Sequence, residues 1–361
     1  MALRTEAAPS PTLWISPANA GRASSWLAVT AFVIWIGTLG PDKAGDGTLA
    51  AIYVLAGLSL NVVLGYIGQL SLGHQGLLGA GALFAAYMST SQGAPLPVAL
   101  LVAGAVGAGF ALLIGVVALR IRGLYLALVT LVVGITLQSS LFEVPALTGG
   151  GAGEPANRPA SLLANDRFYY LCVALCLVAL YLDRRLTSSK AGRAFAAIKE
   201  DERVAAAYGV NVVGYKLLAF VISGTVAGIA GGLFAFNSQQ FNGNDFSFQL
   251  ALTFVLMTVV GGAGSRAGVV VGSIIFALLH NVVAGLVVFK DLAKIFPAGI
   301  RPNFLQFGPD LVGAILLLLT LAFNRGGLAQ QLDPVLKWMS GGPFRWRQES
   351  ENRLGATVGR P

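Results

Sequence analysis

From about residue 24 to residue 323 the chain repeats one pattern: a mostly apolar run of some 16 to 24 residues, then a short polar interval. Roughly 20 such residues in a helix match the thickness of a bilayer's hydrocarbon core. In lipid every backbone N–H and C=O must find a partner within the protein, which limits spanning structures to helices and closed barrels. Runs of this length select helices. Spans are expected near 24–40, 48–66, 70–90, 95–118, 123–142, 167–183, 216–236, 248–263, 267–288 and 308–323. With 55% hydrophobic and 11% charged residues and a mean hydropathy of +0.73, the chain is far more apolar than soluble domains, where about a quarter of residues are charged. The expectation is an all-α integral membrane protein, a polytopic bundle of about ten transmembrane helices. Gly73, Gly76, Gly79 and Gly81 weaken helix propensity in the third run, which reads as a broken or re-entrant segment.

Charge supplies the topology. The formal charge is +8, yet the basic residues sit at the ends of runs and form no single patch, which argues for membrane orientation and against nucleic acid. With a cytoplasmic amino terminus, 18 of the 24 Lys and Arg fall inside and 6 outside. Cytoplasmic loops accumulate Lys and Arg, so both termini are expected inside a plasma (inner) membrane. Residues 1–23, with Pro9, Pro11 and Pro17, read as a disordered cytoplasmic arm, residues 24–330 as the transmembrane domain and 331–361 as a cytoplasmic tail. The apolar run starts too late for a cleavable signal peptide. Cys172 and Cys176, one turn apart in an apolar run, read as buried free thiols, and no metal constellation is expected.

Polar residues inside spans cost free energy unless they face protein or water. Asn61, Gln69, Ser71, His74 and Gln75 gather around the glycine-rich break, and Thr130, Thr136, Gln138 and Ser139 form a second group. Each either lines a polar pathway or makes an interhelical hydrogen bond. His280, beside Asn281, reads as interfacial. No acidic residue is expected mid-span, which argues against a carrier built on buried carboxylates. Gly224, Gly228 and Gly232, spaced by four, form a small-residue face for close helix packing, and Gly268 and Gly272 repeat the spacing. No Gly-Lys-Ser or Gly-Lys-Thr occurs, so the chain has no loop to cradle the phosphates of ATP. No catalytic triad or metal site is legible either, and enzymatic activity is not expected.

One long polar interval carries dense charge of both signs, from residue 184 to 215. Within it GRAFAAIKEDERVAAAYGVN has helical composition, with Phe195, Ile198, Ala205 and Tyr208 near helical period and Gly209 at the stop. It reads either as a solvated loop helix or as a helix presented to a groove on another protein.

Six blocks in order, GLSLNVVLGYIGQLSLGHQG, LRIRGLYLALVTLVVG, LTGG, GRAFAAIKEDERVAAAYGVN, YKLLAFVISGTVAGIAGGLFA and VVGGAGSRAG, closely resemble the LivM-type permeases of branched-chain amino acid ABC importers. The resemblance runs from about residue 50 to 330. It implies a permease subunit of an ABC importer that pairs with a LivH-type permease, two cytoplasmic ATPases that bind the ATP and Mg, and an external binding protein. The 192–211 stretch would then be the coupling element, with Gly192, Arg193, Glu200, Asp201, Glu202, Ala205, Ala206 and Gly209 facing an ATPase. Asn61, Gln69, Ser71, His74, Gln75, Thr130 and Gln138 would line the substrate pathway. Where the family often has a Glu, this chain has Val133, Gly134 and Ile135, and residues 289–307 look like an external insertion. Related permeases carry urea or short amides. A stand-alone channel or secondary carrier is the alternative of a different class.

Overall fold

In a computed structural model of the chain, the residues described are 35–38, 40–119, 121, 123–148 and 154–285, with isolated positions 308, 315, 319 and 328. The described fold lies in the compact unit Ile36–Gln331. Its long helices are α1 (Pro41–Asn61), α2 (His74–Thr90), α3 (Leu96–Ala118), α4 (Leu124–Phe142), α5 (Asn165–Ser188), α8 (Val212–Ser238), α9 (Phe248–Gly261) and α10 (Arg266–Gly285), with two short helices, α6 (Lys190–Glu200) and α7 (Glu202–Ala207), between α5 and α8. These long helices coincide with eight of the ten expected spans. The spans at 24–40 and 308–323, the insertion at 289–307, both tails and the side chains of His280 and Asn281 lie outside the described residues, apart from isolated positions. Five described segments are long and apolar enough to cross a membrane, Lys43–Tyr66, Leu96–Ala118, Leu124–Phe142, Val212–Ser238 and Gly243–Gly261. The molecule is an all-α, multi-pass membrane protein.

Helix α8 runs through the middle because its small residues let two neighbours, α3 and α2, approach closely. A Cβ at Gly228 would lie 3.2 Å from Gly107 Cα of α3, and one at Gly232 would lie 2.9 Å from Leu100 Cδ2. On another side, a Cβ at Gly231 would lie 2.9 Å from Leu78 Cα of α2. Gly224, Gly228 and Gly232 therefore face α3. At such separations dispersion between backbones replaces the water exclusion that drives packing in soluble proteins. The same device joins α9 to α10, where a Cβ at Gly272 would lie 2.9 Å from Gly261 Cα.

Two ends of the bundle are distinguished by what gathers there. At one end a two-residue ladder pairs Glu154–Pro155 with Gln240–Phe241, the described chain's small exception to all-helical structure. Beside it Arg158 is 8% exposed. Its guanidinium donates to the carbonyls of Phe236 and Asn237 and to Asn165 Oδ1, the last at 2.7 Å, and lies 4.3 Å over the Phe168 ring. Burial lowers the pKa of Arg158 from its ordinary value. Thr90 Oγ1 donates to Pro155 O at 2.8 Å, which ties in the end of α2. Phe142, Phe234, Phe241 and Phe246 pack there with ring centroids 5.4 to 6.1 Å apart. The opposite end collects the 62–73 break, α6, α7 and the turn from Gly262 to Ser265.

Candidate functional site

The polar residues expected around the break are divided among three surroundings. His74, 2% exposed, belongs to a staple through the core. Ser59 Oγ donates to Ser223 O at 2.8 Å and Ser223 Oγ to Ser59 O at 2.7 Å. Each hydroxyl has one proton, so Ser223 Oγ is left to accept from His74 Nε2 at 2.8 Å, and Nδ1 accepts from Ser71 Oγ at 3.2 Å. The result stitches α1, α2 and α8 together. Gln75 points the other way, toward α4. It is fully buried and neither amide atom has a hydrogen-bond partner. Its Nε2 lies against Gly134, where a Cβ would come within 2.7 Å. Thr130, one turn before Gly134, accepts from Leu72 N at 2.9 Å. Gln138 lies one turn beyond, on the same α4 face and half-buried. Thr136 and Ser139 are instead exposed on α4.

Asn61 and Gln69 belong to a third group at the end where α6 and α7 sit. Asn61 is the last residue of α1, and Val62–Tyr66 continues it as one π-helical turn. After that turn Gln69 N donates back to Val63 O at 2.9 Å, and the chain leaves helical geometry until His74. The run expected from residue 70 is therefore helical only from His74. Gly68, at φ 72°, makes the reversal.

The coupling stretch wraps this break. The expected single helix over 192–211 is two. Asp201, extended at φ −157°, ends α6 and caps α7 by accepting from Arg203 N at 2.7 Å and Val204 N at 3.1 Å. An aspartate competes with the helix ladder for these amides and so favours a cap over a helix interior. Ser189 caps α6 by accepting from Ala191 N and Gly192 N, and Gly209, at φ 81°, ends α7. Phe195, Ile198 and Ala205 are buried beneath the stretch. Gly192 packs on Thr187, where a Cβ would come within 2.6 Å of its backbone.

Glu202, expected to face a partner, is turned inward. It is paired with the buried Lys216 of α8 and accepts from Gln69 Nε2 at 3.4 Å. Lys199 Nζ donates to Gly65 O, in the π turn, at 2.8 Å. Tyr66 OH donates to Asp183 Oδ2 at 2.8 Å, and Arg266 Nε lies 3.3 Å from the same oxygen. Gly264 N donates to Asn61 Oδ1 at 2.7 Å. Asp183, read from sequence as the edge of a span, is 7% exposed and central to this cluster. Its signal was a lone carboxylate closing an apolar run.

The outer surface of α6 and α7 carries Arg193, Glu200, Ala206 and Gly209, all exposed. Beside them Val204, Tyr208 and Val213 are 52%, 86% and 52% exposed. Sequence reasoning grouped Tyr208 by helical period with Phe195, Ile198 and Ala205, which are buried, and singled out neither Val204 nor Val213. The break at Asp201 resets the phase. Among the described residues no group of three His, Cys, Asp or Glu is disposed to hold a metal ion.

Comparison with known proteins agrees with this architecture. Residues 47–321 match the family model described as "Branched-chain amino acid transport system / permease component". The chain is 30% identical over 337 residues to the high-affinity branched-chain amino acid transport system permease protein LivM of Escherichia coli strain K12, covering 86% of this chain and 75% of that protein. It is 29% identical to LivM of Salmonella typhimurium with the same coverage. It also aligns at 30% identity over 151 residues with the E. coli K12 permease protein LivH, covering 40% of this chain and 47% of LivH. No solved structure gives a significant match. With its helical bundle, its glycine-packed central helix and its LivM-like sequence over most of its length, the chain belongs to the branched-chain amino acid transport permease family, a family of transport proteins and not of enzymes.

Proposed function

We propose that this chain is one of two permease subunits of an ABC importer that moves a branched-chain amino acid, or a small polar solute of similar size, into the cell. Two cytoplasmic ATPases, which bind the ATP and Mg, drive it in trans through α6 and α7, and an external binding protein delivers the solute. The observation that carries this reading is the two-sided character of the 190–209 stretch. Its inner side is bonded to the end of α1 and to α8, while its outer side leaves Val204 and Tyr208 in water. An apolar pair exposed among charged neighbours is the kind of anchor that a groove on another protein takes up. The amino terminus, the tail and this stretch lie in the cytoplasm under this reading. For the solute, the Gln75 amide offers a donor and an acceptor at the seam between α2 and α4, beside Thr130, whose hydroxyl is held by Ala127 O and Leu72 N, with Gln138 further along, whereas His74, Ser71 and Asn61 support the helices on either side.

The test uses the reconstituted complex. Ala206→Trp and Tyr208→Ser should leave insertion and binding-protein docking intact while abolishing uptake and the solute-stimulated part of ATP hydrolysis. A solvated loop would tolerate both changes within about 0.5 kcal/mol. Full uptake by both variants rejects the coupling role. Competition of uptake by leucine, and not by urea or acetamide, distinguishes the amino acid from the amides.

A further inference from the structure

The π turn at the end of α1 is held from two sides by elements far away in sequence. A π turn contains one residue more than the α-helical ladder needs, and such insertions are concentrated at functional sites. Here Gln69 N bonds back to Val63 O, and Gly65 O accepts the ammonium of Lys199 instead. Lys199 lies in the last turn of α6, an exposed residue whose amine is part-buried against Gly65 O. On the other side, Gly264 N donates to Asn61 Oδ1, and a Cβ at Gly65 would lie 2.6 Å from Gly264 N. Directly after the turn, Gln69 is bonded to Glu202 of α7. The break beyond it ends at Leu72 N on Thr130, three residues before Gln75.

We propose that Lys199 is a positioning residue that holds this turn in its π form, and that withdrawal of α6 releases Gly65 O and lets the turn rewind as α-helix. The inference rests on the reading that an ATPase docks on α6 and α7. Removing one residue from the turn rotates the chain on its C-terminal side by about 100° and shifts it by about 1.5 Å along the axis. That motion passes through Gln69 into the 70–73 link and so to Gln75 at the seam between α2 and α4. The coupling stretch thereby acts on a discrete two-state element, which a ligand can bias only through unequal contacts with its two forms.

The experiment tracks backbone hydrogen exchange in the complete complex in lipid nanodiscs, with and without ATP plus vanadate. In the unmodified complex, nucleotide should change exchange in both 190–209 and 62–73. In Lys199→Met, basal ATP hydrolysis should be retained, exchange in 62–73 should differ from that of the nucleotide-free unmodified complex and be indifferent to nucleotide, and uptake should fall by about tenfold or more. Lys199→Arg, which keeps the cation, should restore most uptake. Uptake by Lys199→Met within about twofold of the unmodified complex, or a persistent nucleotide response in 62–73, overturns the role of Lys199 while leaving the coupling reading intact. A nucleotide response in 190–209 of the unmodified complex with none in 62–73 overturns it without any variant. Absence of a response in 190–209 itself overturns the coupling reading and this proposal together.

Discussion

Gly228 touches two helices at once. Its own Cβ would crowd Gly107 of α3, and its Cα would be 2.6 Å from a Cβ placed on Gly81 of α2. Gly228→Leu is expected to destabilise the bundle by about 1–3 kcal/mol through overpacking. It should lower the yield of assembled permease, read by gel filtration of the solubilised complex, before it alters any step of transport. The pair Lys216 and Glu202 behaves differently. Lys216 Nζ is in a side chain 2% exposed, Glu202 in one 15% exposed, so removing the carboxylate strands a buried cation. Glu202→Leu alone should cost about 3 kcal/mol, while the double variant Glu202→Leu, Lys216→Met should recover most of that loss. Chemical or thermal melts of the four members of the cycle measure the difference. Sequence alone located Gly228 correctly on a packing face, because spacing by four carries that information. It read Lys216 only as a cytoplasmic charge opening a span, because its partner is set by how α7 folds back and not by any local pattern.

Among the elements, the bend between α6 and α7 decides which residues are available to a partner. Asp201→Ala removes the acceptor for Arg203 N and Val204 N, a loss of about 1 kcal/mol at an N-cap. The expected outcome is faster hydrogen exchange over 202–207 and weaker coupling of ATP hydrolysis to uptake. Unchanged exchange there would count against the cap as the cause of the bend. Alanine-rich composition from Gly192 to Asn211 made one helix the natural expectation, and an aspartate in the middle was the only local sign of a break. The π turn was less legible still. Nothing in NVVLGY marks an inserted residue, and the turn exists because Lys199 and Gly264 meet it from outside. By contrast, the glycine-rich interruption after it was visible from composition, and the structure differs only in starting α2 at His74.

At the scale of the whole molecule, the polar contacts gather at two ends. The 62–73 break, α6, α7 and the Gly262–Ser265 turn cluster at one end, and the paired strands with Arg158 at the other. Under the proposed orientation, Ser188→Cys should resist a membrane-impermeant maleimide applied to intact cells, and Asn242→Cys should react. The opposite pattern would reverse the topology. The buried Arg158 also bears on how the protein is made. Its acceptor Phe236 O lies 78 residues further along the chain, and at ~5–20 residues per second the ribosome needs about 4 to 16 seconds to reach it. During that interval α8 has yet to thread the bilayer, so the segment carrying Arg158 waits on the far side without its main acceptor. Under the proposed orientation, closure of the outer face is thus expected to be a late event in biogenesis, following insertion of the central helix.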